Sequence, residues 1–344
     1  MRISEISKLI AETVKFNMSL PADAPDAAHI ALRIEGDPSL GKTAVVKQAA
    51  GLIENCQLND KLNLAVLEPN DVAGWTMAEG DSMKVLRPHW MDWDMDDDRP
   101  FIIAIDEFKQ GGTPQQNACA RIVYERAING WPLPKHATII VMANKDSNKA
   151  GTTRMPTHLR DRLVYVTMEA HLDDAISYFN SVGVDYRING YLRSRPDMLS
   201  NFDRDADACP SPRAWHGVSS LLKLELPETI LQQAIAGRVG QGGAADFMGY
   251  LRLVDVMPDP DELIANPKVA AIPEDPAITY AVTAALSYRM NDKNADAIIT
   301  YLNRLPQQEF AAFCIKDAVS RNGELKRVQA VREWAKTNGK LLVL

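Results

Sequence analysis

The sequence predicts an α/β fold, a parallel sheet covered by helices on both faces and followed by a purely helical region. Three observations predict it. Short, nearly continuous apolar runs alternate with helical patterns through the first half of the chain. A glycine-framed segment ending in Lys-Thr lies between one such run and a helical stretch. From about Leu172 onward the apolar spacing is helical only.

The elements follow in order. After an amphipathic N-terminal stretch, MRISEISKLIAETVKF, strands are expected at 28–35 (AHIALRIE), 62–67 (LNLAVL), 101–106 (FIIAID), 137–143 (ATIIVMA) and 163–168 (LVYVTM). Helices are expected from Lys42 and near Pro114–Asn129. Strands buried on both faces need apolar side chains at consecutive positions, which these runs supply. In the helical part, Ile278, Val282 and Leu286 form one seam, and Phe310, Phe313 and Cys314 form another cluster. The segment 257–276 carries five prolines and many acids and reads as a linker. The stretch 70–99 has no period and holds Gly74, Trp75, Gly80, Trp90 and Trp93, so it reads as an excursion from the core.

Composition narrows the class. A chain of 344 residues exceeds one typical domain, and 46% apolar with 24% charged residues excludes collagen-like and disordered chains. Net charge −7 gives no general attraction to nucleic acid or anionic membrane. The N-terminus has no signal-peptide core, and no run approaches a membrane span. Cys56, Cys119, Cys209 and Cys314 are far apart without a CxxC pair, which argues for reduced thiols in a cytoplasm.

The strongest chemical signal is Gly36-Asp37-Pro38-Ser39-Leu40-Gly41-Lys42-Thr43, a complete GxxxxGK[ST] pattern between a strand and a helix. Glycines let the backbone turn its N–H groups inward, Lys42 neutralises phosphate charge, and the Thr43 hydroxyl can ligate Mg²⁺. The pattern arises by chance on the order of once in a hundred chains of this length. FIIAID then delivers Asp106 and Glu107 at a strand end, beside the loop if the two strands are neighbours. Asp106 would hold Mg²⁺ and Glu107 would polarise a water. ATIIVMA ends at Asn144, a short amide that can orient that water; a turn residue is the plain alternative.

These motifs, with HLRDRL (158–163) and SPRAW (211–215), resemble those of the AAA+ ATPases, in particular the MoxR-type branch. There the loop is usually Gly-x-Pro-Gly-x-Gly-Lys-Thr; Pro38 is kept and Ser39 stands for the third glycine. RPFIIAIDEFKQ, QQNACARIVYERAINGWPLP and RMPTHLRDRL match further stretches, with Leu163 where phenylalanine is usual. The resemblance covers about residues 28–225 and implies a P-loop core over 1–170, a helical lid over 171–256 and a C-terminal helical bundle over 257–344.

It implies ATP and Mg²⁺ as ligands, Asn144 as first sensor, Arg213 as second sensor and Arg162 as an arginine finger acting on a neighbouring subunit. Arg160 ranks second for that role and Arg154 is a further competitor; the plain alternative for Arg162 is an ion pair with Asp161. It also implies a homo-oligomeric ring, usually a hexamer, that remodels a protein partner, often one of von Willebrand factor A type. Hairpins are expected within 70–99 and at 129–135, where Trp75, Met77, Lys84, Trp131 and Lys135 would line a pore or fold back onto the protein. Asp92, Asp94, Asp96, Asp97 and Asp98 lack calcium-loop spacing and read as a solvated run, and the six histidines have no metal-ligand spacing. A nucleic-acid motor and a nucleotide-gated scaffold without hydrolysis are the rival readings.

Overall fold

The computed structural model describes residues 1–21, 23–94, 97–145, 153 and 155–342, in two compact units, Met1–Glu169 and Ala170–Leu344. In the first unit, α1 (Ile3–Ser19) precedes β1 (Leu32–Gly36), α2 (Lys42–Leu52) and β2 (Gln57–Asn63). Then come α3 (Pro69–Ala73), a hairpin of β3 (Thr76–Glu79) and β4 (Ser82–Val85), β5 (Phe101–Asp106) and α4 (Thr113–Glu125). A second short hairpin, β6 (Ala127–Ile128) and β7 (Trp131–Pro132), leads to β8 (Thr138–Asn144), α5 (Thr157–Arg160) and β9 (Val164–Thr167). The main sheet is parallel throughout, in the order β2-β5-β8-β1-β9.

Alternation along the central strands fills two cores. Ile103, Ile105, Ile139 and Val141 face α4 through Cys119, Ala120, Ile122 and Val123. Ile102, Ala104, Ile140 and Met142 face α1 and α2 through Ile6, Ile10, Val14, Val45, Val46 and Ala49. Each large side chain so buried contributes about 1.5–3 kcal/mol, which is why β5 and β8 are apolar at consecutive positions. The chain therefore has an α/β P-loop core with a helical C-terminal region.

Three expectations change. The strand expected at 62–67 lies earlier, at Gln57–Asn63. β2 is an edge strand paired, among the described residues, with β5 alone, so polar residues are tolerated on it, and its pairing shifts register between Asn59 and Leu62. The Asn63 carboxamide accepts the Ala65 N–H at 3.0 Å and turns the chain out of the sheet, leaving Val66 exposed. Secondly, β1 and β5 are not neighbours; β8 runs between them. Thirdly, the proline-rich segment 257–276 contains a helix, Pro260–Ala265, capped by Asp259 and anchored by buried Leu263.

The second unit is helical: α6 (Leu172–Val182), α7 (Tyr186–Ser194), α8 (Pro212–Leu221), α9 (Glu228–Asp255), α10 (Pro260–Ala265), α11 (Pro276–Arg289), α12 (Ala295–Leu302), α13 (Gln308–Arg321) and α14 (Gln329–Asn338). One core gathers Tyr191, Trp215, Phe247 and Tyr250; the other gathers Val282, Leu286, Ile298, Phe310, Cys314 and Trp334. The helix α9 breaks at Gly240, whose φ of 78° a side chain would strain. Among the described residues no helix is long and apolar enough to cross a membrane.

Candidate active site

The loop between β1 and α2 turns sharply because Ser39 (φ 64°) and Gly41 (φ 95°) both take the left-handed conformation. Gly36 has a different reason to lack a side chain: a Cβ there would lie 3.1 Å from the Met168 carbonyl oxygen. The turn brings Lys42, 7% exposed, back over its own loop. Its ammonium donates to the Gly36 and Asp37 carbonyls at 3.2 and 3.0 Å and to Asn144 Oδ1 at 2.8 Å.

The strand order explains how residues from three strands meet. β8 lies between β1 and β5 and pairs with both, so Asn144, opposite Gly36 in the register, stands between the loop and the acids. The Asn144 side chain bridges them, accepting from Lys42 and donating to Glu107 Oε2 at 3.3 Å. Thr43, the second residue of α2, donates through its hydroxyl to Asp106 Oδ2 at 2.5 Å. Asp106 Oδ1 accepts the Glu107 N–H at 2.8 Å. Glu107 itself is left-handed, with φ 48°, and this carries its carboxylate back toward Asn144. Gln110 Nε2 donates to the same carboxylate oxygen at 2.8 Å.

Three participants escape motif reading. Gln110 touches Glu107, Lys145 pairs with Asp37 at 3.2 Å across the loop, and buried Lys109 reaches the Asn144 carbonyl at 3.1 Å. Gln110 and Lys145 stand close in sequence to motif residues, three after Glu107 and next to Asn144, but nothing in the sequence marks their partners.

The arginines are placed as follows. Arg162 is about half exposed, donates to the His158 carbonyl at 2.6 Å, lies 5.3 Å over the Tyr124 ring and is 3.7 Å from Asp161. The Arg160 Nε donates to the Met155 carbonyl at 3.2 Å. Arg154 lies outside the described residues. Arg213 is exposed in the first turn of α8, in the second unit, where Ser211 caps the helix.

Both expected hairpins form. Trp75, Met77 and Trp131 are exposed on them, Lys84 pairs with Glu79 at 3.5 Å, and Lys135 is exposed. They share a surface: Asn129 donates to the Ala73 carbonyl at 2.7 Å, and Arg87 lies over both Trp93 and Trp131, at 5.3 and 6.0 Å. Arg126, left-handed and buried, anchors the second hairpin by donating to the carbonyls of Pro134, Lys135 and Ala137. Burial holds its guanidinium down to about 10. In the acidic run, Asp92 pairs with Lys61 and Asp97 with Arg99, while Asp96 lies outside the described residues. A cleft of about 430 Å³ along the outer edge of β2 is lined by Asp92, Asp94 and Asp97 of this run and contains neither the residues of the phosphate loop nor Asp106 and Glu107.

No protein-family model and no curated protein matches the chain. Solved structures similar to it include a Cytophaga hutchinsonii protein provisionally described as an ATPase, at 13% identity over 97% of this chain and 87% of that one, TM-score 0.36. A mutant of RuvB from Thermotoga maritima aligns at 15% identity over 80% and 82%, TM-score 0.35. NtrX from Brucella abortus in complex with ATP aligns at 12% identity over 96% and 67%, TM-score 0.36. Likenesses of this size do not extend the reading of the site. The resemblance to AAA+ ATPases rests on this chain's own motifs, whose loop, acid pair and amide meet at one end of the sheet.

Proposed function

We propose that the chain is a Mg²⁺-dependent ATPase of AAA+ type that assembles as a homo-oligomeric ring and uses ATP cleavage to remodel a protein partner. The observation that carries this reading is the meeting of Lys42, Thr43, Asp106, Glu107 and Asn144 through direct hydrogen bonds between side chains brought from distant parts of the sequence.

The donor set suits Mg²⁺. Thr43 and Asp106 offer hard oxygen atoms side by side, and Mg²⁺ is commonly held by one or two carboxylates together with phosphates and waters. Thr43 and Asp106 would hold the ion, which when bound neutralises charge on the phosphates.

The protein's own groups supply the rest. Lys42 rests on carbonyl oxygens and can exchange them for phosphate oxygens without leaving the loop. The left-handed turn at Ser39 and Gly41 gives the loop its anion-cradling form, and the start of α2 adds its partial positive charge. Glu107 orients a water and accepts its proton, with Asn144 and Gln110 fixing the carboxylate. Arg162 from a neighbouring subunit and Arg213 supply planar donors to the charge that develops on the transferred phosphoryl group. Arg160 is the second candidate for the finger. A hexameric ring, a von Willebrand factor A-type partner and contact through Trp75, Met77, Lys84, Trp131 and Lys135 complete the reading by resemblance.

Two substitutions test it. Lys42→Ala abolishes nucleotide binding, whereas Glu107→Gln keeps binding and lowers turnover by about 10²–10⁴. Equilibrium binding of a fluorescent ATP analogue and phosphate release measure the two quantities. Unchanged binding and turnover in Lys42→Ala would refute the reading. Equal inactivity of wild type and Glu107→Gln, both still binding ATP, would leave the non-hydrolysing scaffold instead.

A further inference from the structure

Lys109 is 1% exposed and Glu35 is 3% exposed, and their charged groups meet at 2.5 Å. Lysine and glutamate are almost never buried this fully unless they are paired. Lys109 lies on the short turn Phe108–Gln110 that leaves β5 directly after Glu107. Glu35 is the last residue before Gly36. The same ammonium also donates to the backbone carbonyl of Asn144, the last residue of β8. One buried cation therefore ties together the ends of β1, β5 and β8. Those three ends carry the phosphate loop, the hydrolytic acid and the sensor amide.

Other contacts hold the pair in place. Arg33 and the Tyr165 hydroxyl also reach the Glu35 carboxylate, and Arg33 stacks 4.9 Å over the Tyr165 ring. The Lys109 carbonyl accepts the Thr153 N–H at 2.6 Å, which pins the turn from its other side. Replacing a buried ion pair by uncharged groups of similar volume is often neutral or stabilising, so stability alone gives little reason for one here. What the pair supplies is direction: its bonds fix the separation of three strand ends, and a displacement of about 1 Å at a reacting group can cost about 10²-fold in rate.

We propose that Lys109 is a positioning residue for ATP cleavage, its ammonium holding the Glu107 turn and the Asn144 strand tip in register with the phosphate loop. The proposal rests on the ATPase reading above and assigns no contact with substrate to Lys109.

The test uses the full chain as wild type, Lys109→Met and the double variant Lys109→Met/Glu35→Gln. The double variant removes both charges while leaving Arg33 an amide oxygen. Affinity for a fluorescent ATP analogue, phosphate release and the urea midpoint are measured on all three. Both variants are expected to bind within about threefold of wild type and to lose turnover by at least about tenfold. Lys109→Met leaves Glu35 paired with Arg33, so its urea midpoint is expected to stay near wild type while turnover falls. The double variant leaves Arg33 without a carboxylate and is expected to lose stability without recovering turnover. A double variant that regains turnover overturns the proposal, because the pair is then only structural. So does wild-type turnover in Lys109→Met, or loss of folding in both variants. Inactivity of the wild type overturns this proposal and the ATPase reading together; activity retained in a variant overturns this one alone.

Discussion

Thr43 joins the phosphate loop to the acid pair through one hydroxyl, which donates to Asp106 at 2.5 Å. Thr43→Val keeps the shape and removes that oxygen. Turnover of the variant should then need about ten- to a hundredfold more Mg²⁺ for half-saturation, a usual size for disturbing a metal site's ligands or their supports. Nucleotide affinity without Mg²⁺ should stay within about threefold of wild type, and a titration of phosphate release against Mg²⁺ at fixed ATP checks both. Lys42, Thr43, Asp106, Glu107 and Asn144 were legible in the sequence because each closes a run of fixed type, either a glycine-framed loop or an apolar strand. Ser39 was legible only as a departure. Its φ of 64° shows that it occupies a conformation costing a residue with a Cβ about 1–2 kcal/mol, where glycine is free. Lys109, Gln110 and Lys145 were not legible, since a lysine or glutamine declares its role through partners that only the folded sheet supplies.

Elements divide by whether sequence-local forces or their neighbours determine them. β5 was legible to the residue because it lies between two strands and two helical layers, so every position but its last is buried. β2 was not, since an edge strand with one partner needs few apolar residues and its limits are set by pairing with β5 and by the Asn63 turn. The C-terminal helices depend on long-range contacts of another kind. Arg193 on α7 donates to Asp173 on α6 at 2.7 Å and to Asp317 on α13 at 2.7 Å, while Lys316 pairs with Asp173 at 2.7 Å. Arg193 and Asp317 are nearly fully buried, and Arg193 also lies 4.6 Å over the Phe313 ring. Arg193→Met preserves most of that packing and strands Asp317 in the interior. Breaking one side of a buried pair costs about 3–5 kcal/mol, so the urea midpoint should fall sharply. If Arg193→Met unfolds at the wild-type midpoint, the network does not hold these helices together.

At the scale of the whole molecule, the proposed ATPase would draw one of its donors from a neighbouring chain. Arg162 is about half exposed, and its contacts, the His158 carbonyl, the Tyr124 ring and an adjacent Asp161, are surface interactions of the kind that contribute about 0–1 kcal/mol. Such a guanidinium can be redirected to a neighbour at little cost. If it acts across a subunit boundary, the Lys42 and Arg162 defects fall on different partners of one interface. Lys42→Ala subunits would lack a working site yet offer an intact arginine, and Arg162→Ala subunits would have the reverse. Each homogeneous assembly should be inactive, with loss of the arginine costing on the order of 10³ in turnover. Mixed in equal amounts and allowed to exchange, they form interfaces of which about a quarter combine an intact site with an intact arginine, so about a quarter of wild-type turnover should return if sites act independently. Phosphate release after mixing, with native mass spectrometry to verify co-assembly, decides the matter. A co-assembled mixture as inactive as its parents would remove Arg162 as the trans-acting donor, and the same cross with Arg160→Ala would then show whether that neighbour takes its place.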